Sequence, residues 1–155
     1  TARVLGALLA QWLAARRLHH EIDVIVPVPL HPARHAERGF NQSAELARQV
    51  GRGLQLPLAV SLAERRRATP PQVGLSLDAR HSNVAGAFRA RAVAGLRVAI
   101  VDDVTTTGAT LQELALALLQ AGAVAVDGWC VARARRSHIR SGAADEASPS
   151  AGRMR

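Results

Sequence analysis

The apolar positions of this 155-residue chain change their spacing several times, and each change marks an element. Over residues 3–18, Val4, Leu5, Leu8, Leu9, Trp12 and Leu13 recur three and four apart, which predicts an amphipathic helix. Asp23–Val28 is a short β-branched run that reads as a buried strand, left through the rigid pair Pro27 and Pro29. Residues 30–41 show little periodicity and read as a loop. Asn41 or Ser43 can cap a helix over 43–53, with Leu46, Ala47 and Val50 facing inward and Gly51 and Gly53 ending it. Leu58–Leu62 reads as a second strand.

The pattern then collapses. From Glu64 to Asn83 an arginine triplet, a proline pair and isolated apolar residues predict a long surface loop, of the kind that serves as a lid or stays disordered. Regular spacing returns with a short strand over 86–91, a strand over Leu96–Val101, a helix over Thr110–Ala121 ended by Gly122, and a strand over Ala123–Ala132. Alternating strands and helices predict a mostly parallel α/β sheet flanked by helices, in one domain over residues 1–134. The Arg-, Ser-, Gly- and Ala-rich residues 135–155 are expected to be a disordered basic tail. No internal repeat is present.

Composition narrows the chemistry. The chain is 48% hydrophobic and 21% charged, the balance of a soluble globular domain. Its formal net charge is +8, and all 20 basic residues are arginine. The absence of lysine excludes a P-loop lysine, a Schiff base and a lysine general base. Guanidinium remains, a planar fork matched to phosphate oxygens, so the excess favours anionic partners. Aromatic residues are 3% and tyrosine is absent, which leaves little for base stacking. The single cysteine, Cys130, excludes an intramolecular disulfide and a four-cysteine zinc site within these residues. There is no 18-residue apolar stretch and no convincing signal peptide, so a cytoplasmic location is expected.

The densest signal lies at residues 98–110. Val98, Ala99, Ile100 and Val101 run into Asp102 and Asp103, then into Thr105, Thr106, Thr107, Gly108, Ala109 and Thr110, and on into a helix. A strand, a tight turn and a helix N-terminus together aim amide hydrogens and the helix dipole at one anion. Threonine hydroxyls add donors, and Gly108 admits close approach or positive φ. Adjacent carboxylates suit sugar hydroxyls or a divalent cation. Phosphate, polyol and metal together describe a sugar phosphate.

This stretch resembles the phosphoribosyl-pyrophosphate (PRPP) signature of type I phosphoribosyltransferases. Wider matches point to the ComF family, associated with bacterial DNA-uptake competence. They run Pro27-Val28-Pro29-Leu30-His31, Arg34, Arg38-Gly39-Phe40-Asn41-Gln42-Ser43, Thr69 with Gln72, Arg80 with Asn83-Val84, Ala87-Phe88, Asp102–Thr110 and Ala121-Gly122-Ala123. The resemblance implies a type I phosphoribosyltransferase fold with a flexible hood loop. By it, Thr105–Thr110 hold the 5′-phosphate, and Asp102 and Asp103 the ribose 2′- and 3′-hydroxyls. Val28, Pro29 and Leu30, with Arg34 and Arg38, take the pyrophosphate. Residues 64–83, with Arg67, Gln72 and Arg80, form the hood. Mg²⁺ is the implied cofactor, carried by PRPP with Asp102 or Asp103 as candidate protein ligands.

Two departures qualify the resemblance. Many ComF-like proteins begin with a cysteine-rich zinc module that these residues lack, so the chain is expected to be a fragment or a shortened member. Thr106 stands where purine-salvage relatives carry an acidic base, which leaves the acceptor unidentified. Three functions are weighed: phosphoribosyl transfer, non-catalytic PRPP or nucleotide binding, and nucleic-acid binding in DNA uptake. The expected partners are PRPP and an acceptor, with single-stranded DNA, a competence protein or a second copy of the chain as further candidates. His31 and His35 read as loop histidines beside the pyrophosphate site, His19 and His20 as structural.

Overall fold

The computed structural model describes residues 1–67, 84–134 and 150–154. Its frame is a four-stranded sheet of β1 (Val24–Pro27), β4 (Arg97–Thr105), β5 (Ala125–Arg133) and β6 (Ser150–Met154), side by side in that order. β1, β4 and β5 are parallel, with Val24 opposite Val98 and Val98 opposite Val126. β2 (Ala63–Arg65) and β3 (Phe88–Ala90) form a separate antiparallel ribbon. The helices are α1 (Ala2–Ala15), α2 (Pro32–Arg38), α3 (Gln42–Leu54) and α4 (Ala109–Gln120).

Strand alternation sorts the core into two layers. Val24, Val26, Val98, Ile100 and Val126 pack with Leu114 and Leu118 of α4 and with Phe88 of the ribbon. Ile25, Ala99, Val101 and Trp129 pack on the opposite face with Leu9 and Leu13 of α1 and Leu46 and Val50 of α3. Near-continuous apolar strands are what a sheet covered on both faces requires. The expected parallel α/β sheet, flanked by helices, is therefore present.

Four expectations change. Residues 32–38, read as loop, form α2: Pro32 opens it, the His31 imidazole accepts the Ala33 N–H at 3.3 Å, and Gly39 closes it at φ +71°. Proline at the start and glycine past the end are the standard stops of a short helix. The strand expected over Leu58–Leu62 is reduced to one parallel bridge, Leu58 to Ile25, and the paired residues come later, at Ala63–Arg65. The motif strand continues past Val101 to Thr105, because β5 pairs with Asp102, Val104 and Thr105. Within the expected disordered tail, Ser150–Met154 pair antiparallel with β5 and cover backbone groups that an edge strand would leave open. Residues 135–149 of that tail lie outside the described residues.

Candidate functional site

β4 carries the carboxylates to the edge of the sheet and hands the chain to α4. Gly108 precedes α4 at φ +82°, a left-handed conformation that glycine adopts without strain, and nothing lies within 4 Å of where its Cβ would be. The turn is thus open beside the helix N-terminus. One amide there is already engaged: the Ala109 N–H donates to Thr107 Oγ1 at 3.2 Å.

The first turn of α3 meets the acids. Asn41, not Ser43, is the cap: its Oδ1 accepts the N–H of Ser43 at 3.0 Å and of Ala44 at 3.3 Å, and its Nδ2 donates to the Val28 carbonyl at 3.0 Å. Ser43 is thereby left to donate its hydroxyl to Asp102 Oδ1 at 2.7 Å. Oδ1 also accepts the Asp103 N–H at 2.9 Å, so among the described residues both bonds to Asp102 fall on one oxygen. Burial raises the Asp102 carboxyl to about 6; the Ser43 bond opposes that rise and the Asp103 charge adds to it. Asp103 Oδ1 accepts the Val104 N–H at 2.7 Å, and its side chain lines a recess with Phe40, Gln42 and Val131. Both acids are half-buried.

The other wall is cationic. A cavity of about 610 Å³ lies beyond the end of β1, lined by Pro27, Pro29, Leu30, His31 and His35 on one side and by Glu64, Arg65 and Arg66 on another. Arg48, which pairs with Glu45, completes it on α3. Arg65 is half-buried with its guanidinium 5.4 Å from the Phe88 ring centre. Burial and the nearby Arg34 guanidinium pull Arg65 below its ordinary range, while Asp102 works in the opposite sense. Arg34, Arg65 and Asp102 are therefore within electrostatic reach of one another. Two guanidiniums held near each other in partly desolvated surroundings favour a dianion between them.

Most of the anticipated residues assemble at this one end of the sheet. Pro29 and Leu30 line the cavity, Val28 precedes them at the exit of β1, Arg34 lies on α2, and Asp102–Thr110 run from the end of β4 into α4. Arg38 lies in the last turn of α2. Arg67 closes the neck of the expected hood, donating from Nη2 to the Ala85 carbonyl at 2.7 Å. Gln72 and Arg80 lie outside the described residues. Sequence reasoning did not choose Ser43 or Arg65 as site residues. Ser43 was legible as one of two capping candidates, and Arg65 as one of three indistinguishable arginines.

Mg²⁺ fits this donor set in one way. Among the described residues no group of three or more His, Cys, Asp or Glu side chains could form a protein cage. Two adjacent carboxylates beside an open turn suit an ion that keeps waters and takes ligand oxygens. No helix among the described residues is long and apolar enough to cross a membrane.

Comparison with known proteins bears on the family and the fold. Residues 5–143 match the phosphoribosyl transferase domain family. The chain is 46% identical over 112 residues to the DNA utilization protein YhgH of Escherichia coli K12, covering 72% of this chain and 49% of that protein. It is 35% identical over 139 residues to competence protein F of Haemophilus influenzae, covering 85% and 61%. Against competence protein ComFC of Bacillus subtilis the identity is 33%, with 66% and 40% covered. The chain thus spans about half the length of the curated relatives it matches. Among solved structures, the glutamine PRPP amidotransferase of B. subtilis aligns with a TM-score of 0.55 at 24% identity, over 83% of this chain and 25% of that one. A purine phosphoribosyltransferase of Pyrococcus horikoshii aligns at 0.52 and 21%, over 81% and 70%. Both likenesses speak to the fold. The chain belongs to the phosphoribosyl transferase domain family, and its relatives are those of the ComF group that its sequence resembles.

Proposed function

We propose that this chain binds PRPP with Mg²⁺ in the cytoplasm and transfers the phosphoribosyl group to an acceptor, releasing pyrophosphate, in the service of DNA uptake. The observation that carries the reading is the end of β4. There Asp102, held on one oxygen by Ser43, and Asp103 run into an open turn at the N-terminus of α4. The names of the relatives, DNA utilization and competence proteins, supply the link to DNA uptake.

On this reading the turn Thr105–Thr110 takes the 5′-phosphate, with the amide of Ala109 exchanging the Thr107 hydroxyl for a phosphate oxygen. Asp102 Oδ2 and Asp103 accept the ribose hydroxyls and fix the ring. Arg34 and Arg65 face the diphosphate across the cavity. Bond breaking at the anomeric carbon builds positive charge on the ring and negative charge on the leaving group. Guanidiniums beside the leaving group stabilise that separation, each such donor being worth about 3 kcal/mol. Mg²⁺ neutralises diphosphate charge further when bound.

Thr106 favours a second reading, binding without turnover, because a hydroxyl cannot replace a carboxylate base for acceptors that must lose a proton. Pyrophosphate release with PRPP, Mg²⁺ and a panel of nucleobases and amines separates the two. Release with any acceptor supports transfer. PRPP binding with no release across the panel supports the binder.

A further inference from the structure

Beside the cationic cavity lies a second hollow of opposite character. It measures about 400 Å³ and sits where the first turns of α1 and α3 meet the ends of β4 and β5. Leu5, Phe40, Leu46, Val104 and Val131 give it apolar walls. Its charged side chains are both acids, Glu45 and Asp103, and no arginine or histidine lines it. Glu45 is paired with Arg48, whereas Asp103 is in no salt bridge among the described residues. The larger cavity, by contrast, holds Arg48, Arg65 and Arg66. Phe40 and Glu45 line both hollows, so the two adjoin.

The apolar walls are open to a ligand. Phe40 is 51% exposed, Val104 50% and Leu5 41%, and all three meet at this one hollow. Exposed apolar side chains grouped around a few polar ones mark a binding site, not a solvated surface. Of the two tryptophans and two phenylalanines, Phe40 alone is exposed. Its backbone position is set from both sides. Gly39 closes α2 at φ +71°, and Asn41 caps α3 while donating from Nδ2 to the Val28 carbonyl.

We infer that this hollow binds a neutral arylamine and, resting on the phosphoribosyl-transfer reading, that the arylamine is the acceptor. A flat apolar ring matches the Phe40 ring and the Leu5 and Val104 side chains. Amine N–H groups suit the carboxylates at the edge, and Asp103, which on that reading also holds the ribose, sets the amine beside the sugar. A ligand carrying its own carboxylate meets Glu45 and Asp103 as like charges. An alkylamine arrives as ammonium, its lone pair given to a proton that nearby carboxylates hold in place. An arylamine keeps that pair at neutral pH. Its nitrogen forms the bond to the anomeric carbon as the bond to the diphosphate oxygen breaks. The diphosphate leaves with that electron pair and takes one N–H proton, so a hydroxyl at Thr106 in place of a base is no obstacle.

Aniline is titrated by ligand-observed NMR into wild type, Leu5→Trp and Val4→Trp. Benzoate and cyclohexylamine serve as comparison ligands, and PRPP binding is followed calorimetrically in each protein. Wild type is expected to bind aniline saturably and at least about tenfold more tightly than either comparison ligand. Leu5→Trp fills the hollow and should weaken aniline at least about tenfold with PRPP affinity unchanged. Val4, 62% exposed on the same helix and outside the lining, should alter neither affinity as Val4→Trp. With PRPP and Mg²⁺, aniline should release diphosphate from wild type and far less from Leu5→Trp. No aniline binding by wild type overturns the inference, and PRPP binding by that same protein leaves the phosphoribosyl reading standing. Equal affinity for benzoate or cyclohexylamine overturns it too, as does a loss in Leu5→Trp no greater than in Val4→Trp. Aniline binding without PRPP binding, or without diphosphate release, keeps the arylamine site and overturns its role as acceptor.

Discussion

The two walls of the phosphoribosyl site are built to different standards of rigidity. The acidic wall is the end of β4, paired with β1 on one side and β5 on the other and backed by α3 and α4. The cationic wall stands on a seven-residue helix and a three-residue strand whose strand partner among the described residues is equally short. Ribose hydroxyls need acceptors at fixed positions, which a doubly paired strand supplies. A diphosphate that must leave needs cations that can approach and withdraw, and short elements at the neck of a long connecting segment allow that. Asn41 spans the two regions, capping α3 while donating to the carbonyl of Val28.

Substitutions should therefore separate folding from binding according to the wall they strike. The largest effect belongs to the support of the acidic wall. Leu114, fully buried between α4 and the sheet, should cost about 2–5 kcal/mol of stability as Leu114→Ala, read from the urea midpoint. A midpoint shift no larger than that of an exposed Leu116→Ala control would contradict the proposed packing. On the cationic wall, Arg65→Gln should leave the midpoint nearly unchanged while weakening pyrophosphate binding roughly ten- to hundredfold, the loss expected for one charge-assisted hydrogen bond. Equal effects on both measurements would erase the distinction between the walls.

Two smaller effects sharpen it. Asp102 titrates near 6 in the folded chain, above its ordinary 3.8, so the folded state holds the extra proton. Stability of the metal-free protein should fall as pH rises from about 4 to about 6 and level off above that, by linkage. Asp102→Asn should flatten this part of the curve, and an unchanged slope would show that Asp102 titrates normally. Ser43→Ala should have the mildest consequence. Losing the bond to Oδ1 lets the Asp102 carboxyl rise further and should lower PRPP affinity several-fold at pH 6, less at pH 8. A loss that is equal at both values would mean that Ser43 acts on position alone.

The acidic wall was the more legible in sequence, for the same physical reason that it is rigid. A buried strand must be apolar for several residues, so Val98–Val101 announced β4, and the departure at Asp102 and Asp103 stood out against it. Only its end was misplaced, because the pairing of Thr105 with Arg133 depends on β5 and not on local pattern. The cationic wall gave weaker signals. α2 has too few turns for an apolar period, although Pro32 and Gly39 marked both of its ends. β2 is three residues whose pairing with β3 is 25 positions away in sequence, and nothing in Arg65-Arg66-Arg67 says which arginine turns inward. Burial against Phe88 makes that choice. Ser150–Met154 carries no apolar run at all, and its strand exists because β5 offers an edge.

The most direct measurement of the ribose-phosphate pocket at the end of β4 is calorimetric titration of PRPP with Mg²⁺ into wild type and Asp103→Asn. Saturable binding by the wild type, weakened about a hundredfold in an equally stable Asp103→Asn, is the expected result. Absence of heat with either protein, or identical affinities for the two, would contradict it.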